Sequence, residues 1–263
     1  MSINKFIGEQ QMILDMSFEQ RSLLFAKLSS IAYSDDTKQV KKDARALGFT
    51  TIEFYNKDGA QAYRFMNKHD IVIACRGTQP SEFNDIKADL KAAPVIADTV
   101  GRVHRGFKAE VDELWKLIEE DLCECGKERT AWFTGHSLGA AMTTIMASRA
   151  EDDSRMPHIE EVYTYGSPRV GWRKFVKALN CKHQRWVNNN DIVTRVPMAA
   201  MGYVHDGCEH YMDSNGDYRP KLRGLRRAKD RWRGMWLGLT KGSVDNFSDH
   251  SMDNYITNLE KLQ

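Results

Sequence analysis

A chain of 263 residues is long enough for one large α/β domain, and length alone would also allow two. Its 38 lysines and arginines stand against 36 aspartates and glutamates, a balance that argues against a nucleic-acid binder, which usually shows a strong basic excess. No run approaches the roughly 18 consecutive apolar residues of a bilayer span.

The five cysteines, Cys75, Cys123, Cys125, Cys181 and Cys208, form no paired framework, which fits a reducing compartment. Residues 1–20 mix Glu, Gln and Asp with Met and Ile and show no basic region followed by an apolar core, so a cytoplasmic rather than a secreted protein is expected. Cys123 and Cys125 have no second pair at ligand spacing and read as two thiols near a helix end; no metal and no cofactor is expected.

In chain order, Leu24, Leu28, Ile31 and Ala32 fall on one helical face, which predicts an amphipathic helix over Ser17–Ser34. Strands are expected at Thr51–Tyr55, Ala62–Met66 and Ile71–Arg76, with Lys57-Asp58-Gly59 punctuating the first two. The uniformly apolar run Ile71–Cys75 reads as a strand covered on both faces. Phe107, Val111, Leu114, Trp115, Ile118 and Leu122 keep the helical period until Cys125-Gly126.

Next come a buried strand over Ala131–Thr134 and a helix marked by Leu138, Ala141, Met142 and Ile145. Val162–Tyr165 is a further strand, stopped by Gly166-Ser167-Pro168, and Trp172, Phe175, Val176 and Leu179 suggest a short helix. Arg185-Trp186-Val187 reads as a further strand, leading into Asn188-Asn189-Asn190-Asp191. Met252, Tyr255, Ile256, Leu259 and Leu262 form a terminal helix. Strands alternating with helices predict a mainly parallel sheet flanked on both faces, and nothing in the chain marks a repeat or linker, so residues 1–263 read as a single domain.

The chemistry is concentrated in Gly135-His136-Ser137-Leu138-Gly139, a G-x-S-x-G nucleophile elbow at a strand-to-helix junction. The turn is so sharp that side chains flanking the serine would collide with neighbouring backbone, and the two glycines remove them. A serine hydroxyl is a weak nucleophile at neutral pH, so a histidine must take its proton and an acid must orient that histidine. The elbow fold orders these as Ser, acid, His. Asp191, at the end of a strand pattern, suits the acid, although a turn-forming Asp in an Asn-rich loop would look the same.

His205, His210 and His250 follow the acid. His250 is favoured because it lies between the loop at Ser248-Asp249 and a helix able to anchor it, with His205 next. Leu138, after the nucleophile, and Thr78, in the loop after the early core strand, are the expected backbone donors to the oxyanion. Each such donor is worth on the order of 3 kcal/mol of barrier, and the base about 10²–10⁴-fold in rate.

Taken together, these residues resemble the class 3 lipase family, the fungal-lipase-like branch of the α/β-hydrolases. The resemblance runs from about Val72 to the terminal helix. It rests on Cys75-Arg76-Gly77-Thr78, Asp89-Leu90, Val103-His104-Arg105-Gly106-Phe107, the elbow, Tyr165-Gly166-Ser167-Pro168-Arg169-Val170-Gly171, Asn190-Asp191-Ile192-Val193 with Val196-Pro197, and Asp249-His250 with Tyr255. It implies the same triad, Ser137, Asp191 and His250, with Thr78 and Leu138 forming the oxyanion hole, and a lid over about 80–90.

That lid segment departs from the family: Ile86 stands where fungal members often carry tryptophan, and Glu82, Asp85, Lys87 and Asp89 make it charge-rich, while Phe83, Ile86 and Leu90 still form one apolar helical edge. The stretch over about 219–240 is a second departure. Arg219, Lys221, Arg223, Arg226, Arg227, Lys229 and Arg231 alternate there with Leu222, Leu225, Trp232, Met235, Trp236 and Leu239. Such a basic amphipathic helix suits either a solvated face packed by its apolar side or peripheral contact with an anionic membrane.

The expected activity is serine carboxylic-ester hydrolysis of acylglycerols or related acyl esters. Met198, Ala199, Ala200, Met201 and Tyr203 are candidates for an acyl pocket or simply for core. A phospholipase or small-ester esterase is the alternative enzyme, and a silent lipid-binding protein is the reading from another class.

Overall fold

The computed structural model describes residues 12–77, 93–220 and 248–263. Thr78, the lid at 80–90 and nearly all of the basic segment at 219–240 lie outside the described residues.

A seven-stranded sheet organises the chain. Strands β1 (Thr51–Lys57), β2 (Ala60–Met66) and β3 (Asp70–Cys75) form an antiparallel meander. From β3 the sheet continues in parallel through β6 (Thr130–His136), β7 (Ile159–Tyr165), β9 (Lys182–Asn188) and β11 (Cys208–Met212). A smaller antiparallel sheet joins β10 (Tyr203–Val204), β8 (Gly171–Trp172), β5 (Arg102–His104) and β4 (Pro94–Ile96).

Side-chain alternation shows why β3 is apolar from Ile71 to Cys75. Ile71, Ile73 and Cys75 of β3 and Phe133 of β6 pack on one face against helices α3 (Arg105–Cys125) and α4 (Leu138–Asp152). Val72, Ala74 and Trp132 pack on the other face against α1 (Phe18–Ile31), α2 (Thr37–Ala46) and the terminal α6 (Met252–Glu260). Successive residues of a strand face opposite ways, so a strand covered on both sides has no polar positions to spare.

The predicted helix at Ser17–Ser34 is shorter at its end, and Ser17 is its cap: Ser17 and Gln20 exchange side chain-to-backbone hydrogen bonds in a capping box. The short helix after Gly171 covers only Arg173–Val176, our α5. Met198, Ala199 and Ala200 are not part of the core. They form an exposed tip, with Met198 63% accessible, while Tyr203 is fully buried.

Buried polar groups tie the layers together. Asp70, at the start of β3, accepts from the indole of Trp132 (2.8 Å) and from the backbone N–H of Ile13 (3.0 Å). His205 meets the carbonyl of Thr194 at 2.7 Å, and His210 lies between Tyr218 and Gln184 at 2.8 Å each. Burial, reinforced by the nearby Arg185 guanidinium, pushes the His205 imidazole down to about 3 and that of His210 down to about 4.

Both rings therefore stay neutral when folded over a pH range in which an unfolded histidine, near 6.5, takes up a proton. The unfolded state binds more protons there, so this contribution to stability is complete above about pH 6.5 and is lost as pH falls towards 4 and below. Urea midpoints are expected to drop between about pH 7 and pH 5, and the drop should be smaller in His210→Gln; an equal drop in that variant would assign the effect elsewhere.

Candidate active site

The elbow forms at the C-terminal end of β6, where the chain turns into α4. Ser137 sits at φ 59°, ψ −127°, a conformation that costs a non-glycine residue on the order of 1–3 kcal/mol. The glycines have the steric role their spacing suggests: a Cβ on Gly135 would run into the backbone of Gly139, and a Cβ on Gly139 into the carbonyl of Cys75 on β3. The Ser137 N–H donates to the carbonyl of Tyr165 at 3.1 Å, which registers the turn against the end of β7.

Asp191 follows β9 and is fully buried. Its Oδ1 accepts from the backbone N–H of Val193 (2.9 Å), and its Oδ2 accepts from Nδ1 of His250 (2.9 Å) and from the hydroxyl of Tyr255 (2.7 Å). An ionised carboxylate can only accept, so His250 carries its hydrogen on Nδ1 and presents Nε2 as the basic nitrogen. Burial and the adjacent Asp191 raise the Tyr255 phenol well above its ordinary range, so it stays a proton donor.

Three further close approaches bring the pair, the elbow and the end of β3 together. The His250 ring lies 4.3 Å from that of His136, the neighbour of Ser137. Gly166, at φ +59° just after β7, approaches so closely that a Cβ there would lie 2.7 Å from both Asp191 Oδ2 and His250 Nδ1. Gly77, just past the end of β3, would place a Cβ 3.2 Å from that of Ser137. Thus Ser137, Asp191 and His250 gather at the C-terminal ends of the parallel strands, beside the chain leading to residue 78. Leu138 opens α4, where a helix leaves its first N–H groups without intrahelical acceptors.

His205 is absent from this group; its ring is committed to Thr194. Two roles escape sequence reasoning. Tyr255 reads as a core residue of the terminal helix, yet its hydroxyl donates to Asp191 and accepts from the N–H of Asn188 at 3.0 Å. Asn188, Asn189 and Asn190 read as a polar loop, but they latch the segment before His250. The Asn188 amide donates to the carbonyl of Asp249 (3.0 Å), and Asn189 and the N–H of Asn190 bond the Asp249 carboxylate. Three asparagines closing a buried strand were the available signal.

Residues 72–201 match the sequence family of class 3 lipases. This match takes in the strand before the oxyanion loop, the elbow and the Asp191 loop, and over it the chain is similar to class 3 lipases. Among proteins of this kind, it is similar to toxin TseL of Vibrio cholerae, 31% identical over 194 residues, covering 57% of this chain and 30% of that protein. A lipase of Rhizomucor miehei is 30% identical over 167 residues, covering 59% and 45%. The secreted mono- and diacylglycerol lipase 1 of Fusarium solani is 39% identical over 183 residues, covering 66% and 53%. The chain thus spans about a third to a half of the length of these relatives. The solved triacylglyceride lipase of Rhizomucor miehei superposes with a TM-score of 0.62 at 25% identity, over 75% of this chain and 81% of that one. Its match with the sheet and its flanking helices makes this an α/β-hydrolase fold.

Two substitutions probe the site just described. Gly166→Ala should lower ester turnover by about 10²-fold, because the added carbon displaces the Asp191–His250 pair by a fraction of an ångström or more. Tyr255→Phe removes a donor from a buried carboxylate and an acceptor from Asn188, and should cost about 1–3 kcal/mol in urea unfolding. Turnover in Gly166→Ala within about twofold of the parent protein would show that the pair is not held as tightly as the contacts imply.

Proposed function

We propose that this chain is a serine carboxylic-ester hydrolase acting on acylglycerols or related acyl esters of lipids. The observation that carries the reading is the hydrogen bond from His250 Nδ1 to a fully buried, fully satisfied Asp191 at the strand ends where the strained Ser137 turn also lies.

In this mechanism Nε2 of His250 takes the Ser137 hydroxyl proton as Oγ attacks the ester carbonyl carbon. The carbonyl π electrons move onto oxygen, where the N–H groups of Leu138 and Thr78 receive the negative charge. Collapse re-forms the carbonyl and breaks the bond to the alcohol, which leaves with the proton from His250. Water repeats the sequence on the acyl-enzyme: His250 accepts its proton, the acid departs, and Ser137 recovers its hydrogen. Asp191 stays ionised throughout and stabilises the imidazolium that forms twice per turnover.

The exposed apolar tip at Met198–Ala200, on the loop that follows Asp191, supports a lipid rather than a polar ester as substrate. The basic amphipathic sequence after Pro220 supports peripheral contact with anionic lipid surfaces. Arg219 does not belong to that charge, since Asp213 and Asp217 bind its guanidinium at 2.7 and 2.9 Å. Phospholipids and short-chain esters remain the competing substrates, and chain-length and head-group profiling separates them.

A fluorophosphonate probe should modify Ser137 alone, and Ser137→Ala should lose both labelling and at least about 10⁴-fold of ester turnover. Undiminished turnover in Ser137→Ala, or labelling at another residue, removes the proposal. Separately, replacing Arg226, Arg227 and Lys229 with Gln should weaken binding to anionic liposomes at low salt; unchanged binding ends the membrane-contact reading.

A further inference from the structure

Beside the pair formed by His250 and Asp191 lies a second imidazole that the mechanism does not use. His136 precedes Ser137 and is buried. Its Nε2 is 2.7 Å from the main-chain carbonyl oxygen of His250, and its Nδ1 is 2.8 Å from the hydroxyl of Tyr33. A carbonyl can only accept, so Nε2 bears the hydrogen. The lone pair of the neutral ring is then on Nδ1, and the Tyr33 hydroxyl is the donor that occupies it. Burial, and then the facing His250, hold His136 well below the ordinary histidine range, which keeps that lone pair available.

His250 needs such an anchor because Asp191 holds only its ring. Asn188 holds the carbonyl of the preceding residue, and His136 holds the carbonyl of His250 itself. This last tie runs to the elbow, one residue from the nucleophile. Tyr33 completes it from outside. Its hydroxyl sits against Gly77, close enough that any Cβ there would collide with it, and the neighbouring Asp35 pairs with Arg76. One short segment after α1 thus braces both the end of β3 and, through His136, the base.

We propose that His136 is a positioning residue, a strut that donates from Nε2 to the carbonyl of His250 while Tyr33 holds its Nδ1, and so fixes the backbone of the general base to the turn that carries the nucleophile. The inference rests on the reading of His250 as that base.

Three variants and one spectrum test it in the full chain. His136→Leu removes the donor and should lower kcat by about 10- to 100-fold with KM within about twofold, as expected for an ångström-scale misplacement of the base. His136→Gln restores an N–H at similar reach and should recover most of that loss. Tyr33→Phe should lower kcat several-fold in the parent protein yet add nothing in the Gln variant, whose amide offers the phenol no ring nitrogen to hold; this is a non-additive cycle. Nitrogen-15 NMR of labelled histidine should show His136 neutral and protonated on Nε2 at neutral pH, and on Nε2 in Tyr33→Phe as well, because the carbonyl of His250 still accepts there.

A folded His136→Leu with kcat within about twofold of the parent overturns the proposal. So does a Gln variant no better than Leu, an additive cycle, or an Nδ1-protonated ring in the parent protein. If Leu prevents folding, the Gln variant, the cycle and the spectrum still decide. Should the parent protein hydrolyse no ester, the reading of Ser137 and His250 fails, while the NMR tautomer still reports on the strut.

Discussion

The structure turns on one charge-assisted hydrogen bond in a dry place, between Nδ1 of His250 and Oδ2 of Asp191. Burying a carboxylate is costly unless both of its oxygens accept hydrogen bonds, and a half-satisfied buried group is worse than an apolar one. Asp191 meets that condition with the N–H of Val193, the Tyr255 hydroxyl and the imidazole. Much of the surrounding architecture then reads as a means of keeping that arrangement intact. The close approach of Gly166 leaves no room for the pair to drift, and the asparagines at the end of β9 fix the chain that delivers the histidine.

Different parts of the fold supply the two halves of the site. Ser137 is set by local sterics, through the glycine-to-glycine contact under the elbow and the approach of Gly139 to β3. Asp191 and His250 are set by long-range contacts spanning some sixty residues, since the bond between them has a sequence separation of 59. The sheet reconciles the two: β3, β6, β7 and β9 run parallel, so their C-terminal ends share one edge and every loop leaving them faces the same volume. This is the crevice in which open parallel sheets generally place their ligands.

What could be read in the sequence follows the same division. The elbow was legible because its glycine spacing has one steric explanation, and β3 because an unbroken apolar run requires cover on both faces. Asp191 and His250 were legible as candidates by chain order once the elbow was recognised. The partners of Asp191 were not, because Tyr255 looks like any aromatic on an amphipathic helix, and its hydroxyl matters only after folding brings β9 beside α6. Helix α2 escaped notice since only Val40 and Ala44 of its ten residues are buried, too few for a periodic signal. The strands of the small sheet, two or three residues each, are shorter than any alternation pattern. At Met198 to Ala200 the alternative of core failed for a simpler reason: composition does not distinguish apolar residues that line a core from those left on a surface.

The most direct test of the central claim is a crystal structure of the chain inactivated by an alkyl phosphonate ester, which mimics the tetrahedral intermediate. The account predicts phosphorus bonded to Oγ of Ser137, the phosphoryl oxygen between the N–H groups of Leu138 and Thr78, and Nε2 of His250 within hydrogen-bonding reach of an oxygen on phosphorus, with Asp191 still on Nδ1. An adduct on another residue, or one in which the His250 imidazole stands out of reach of both Ser137 and the phosphonate, would contradict it.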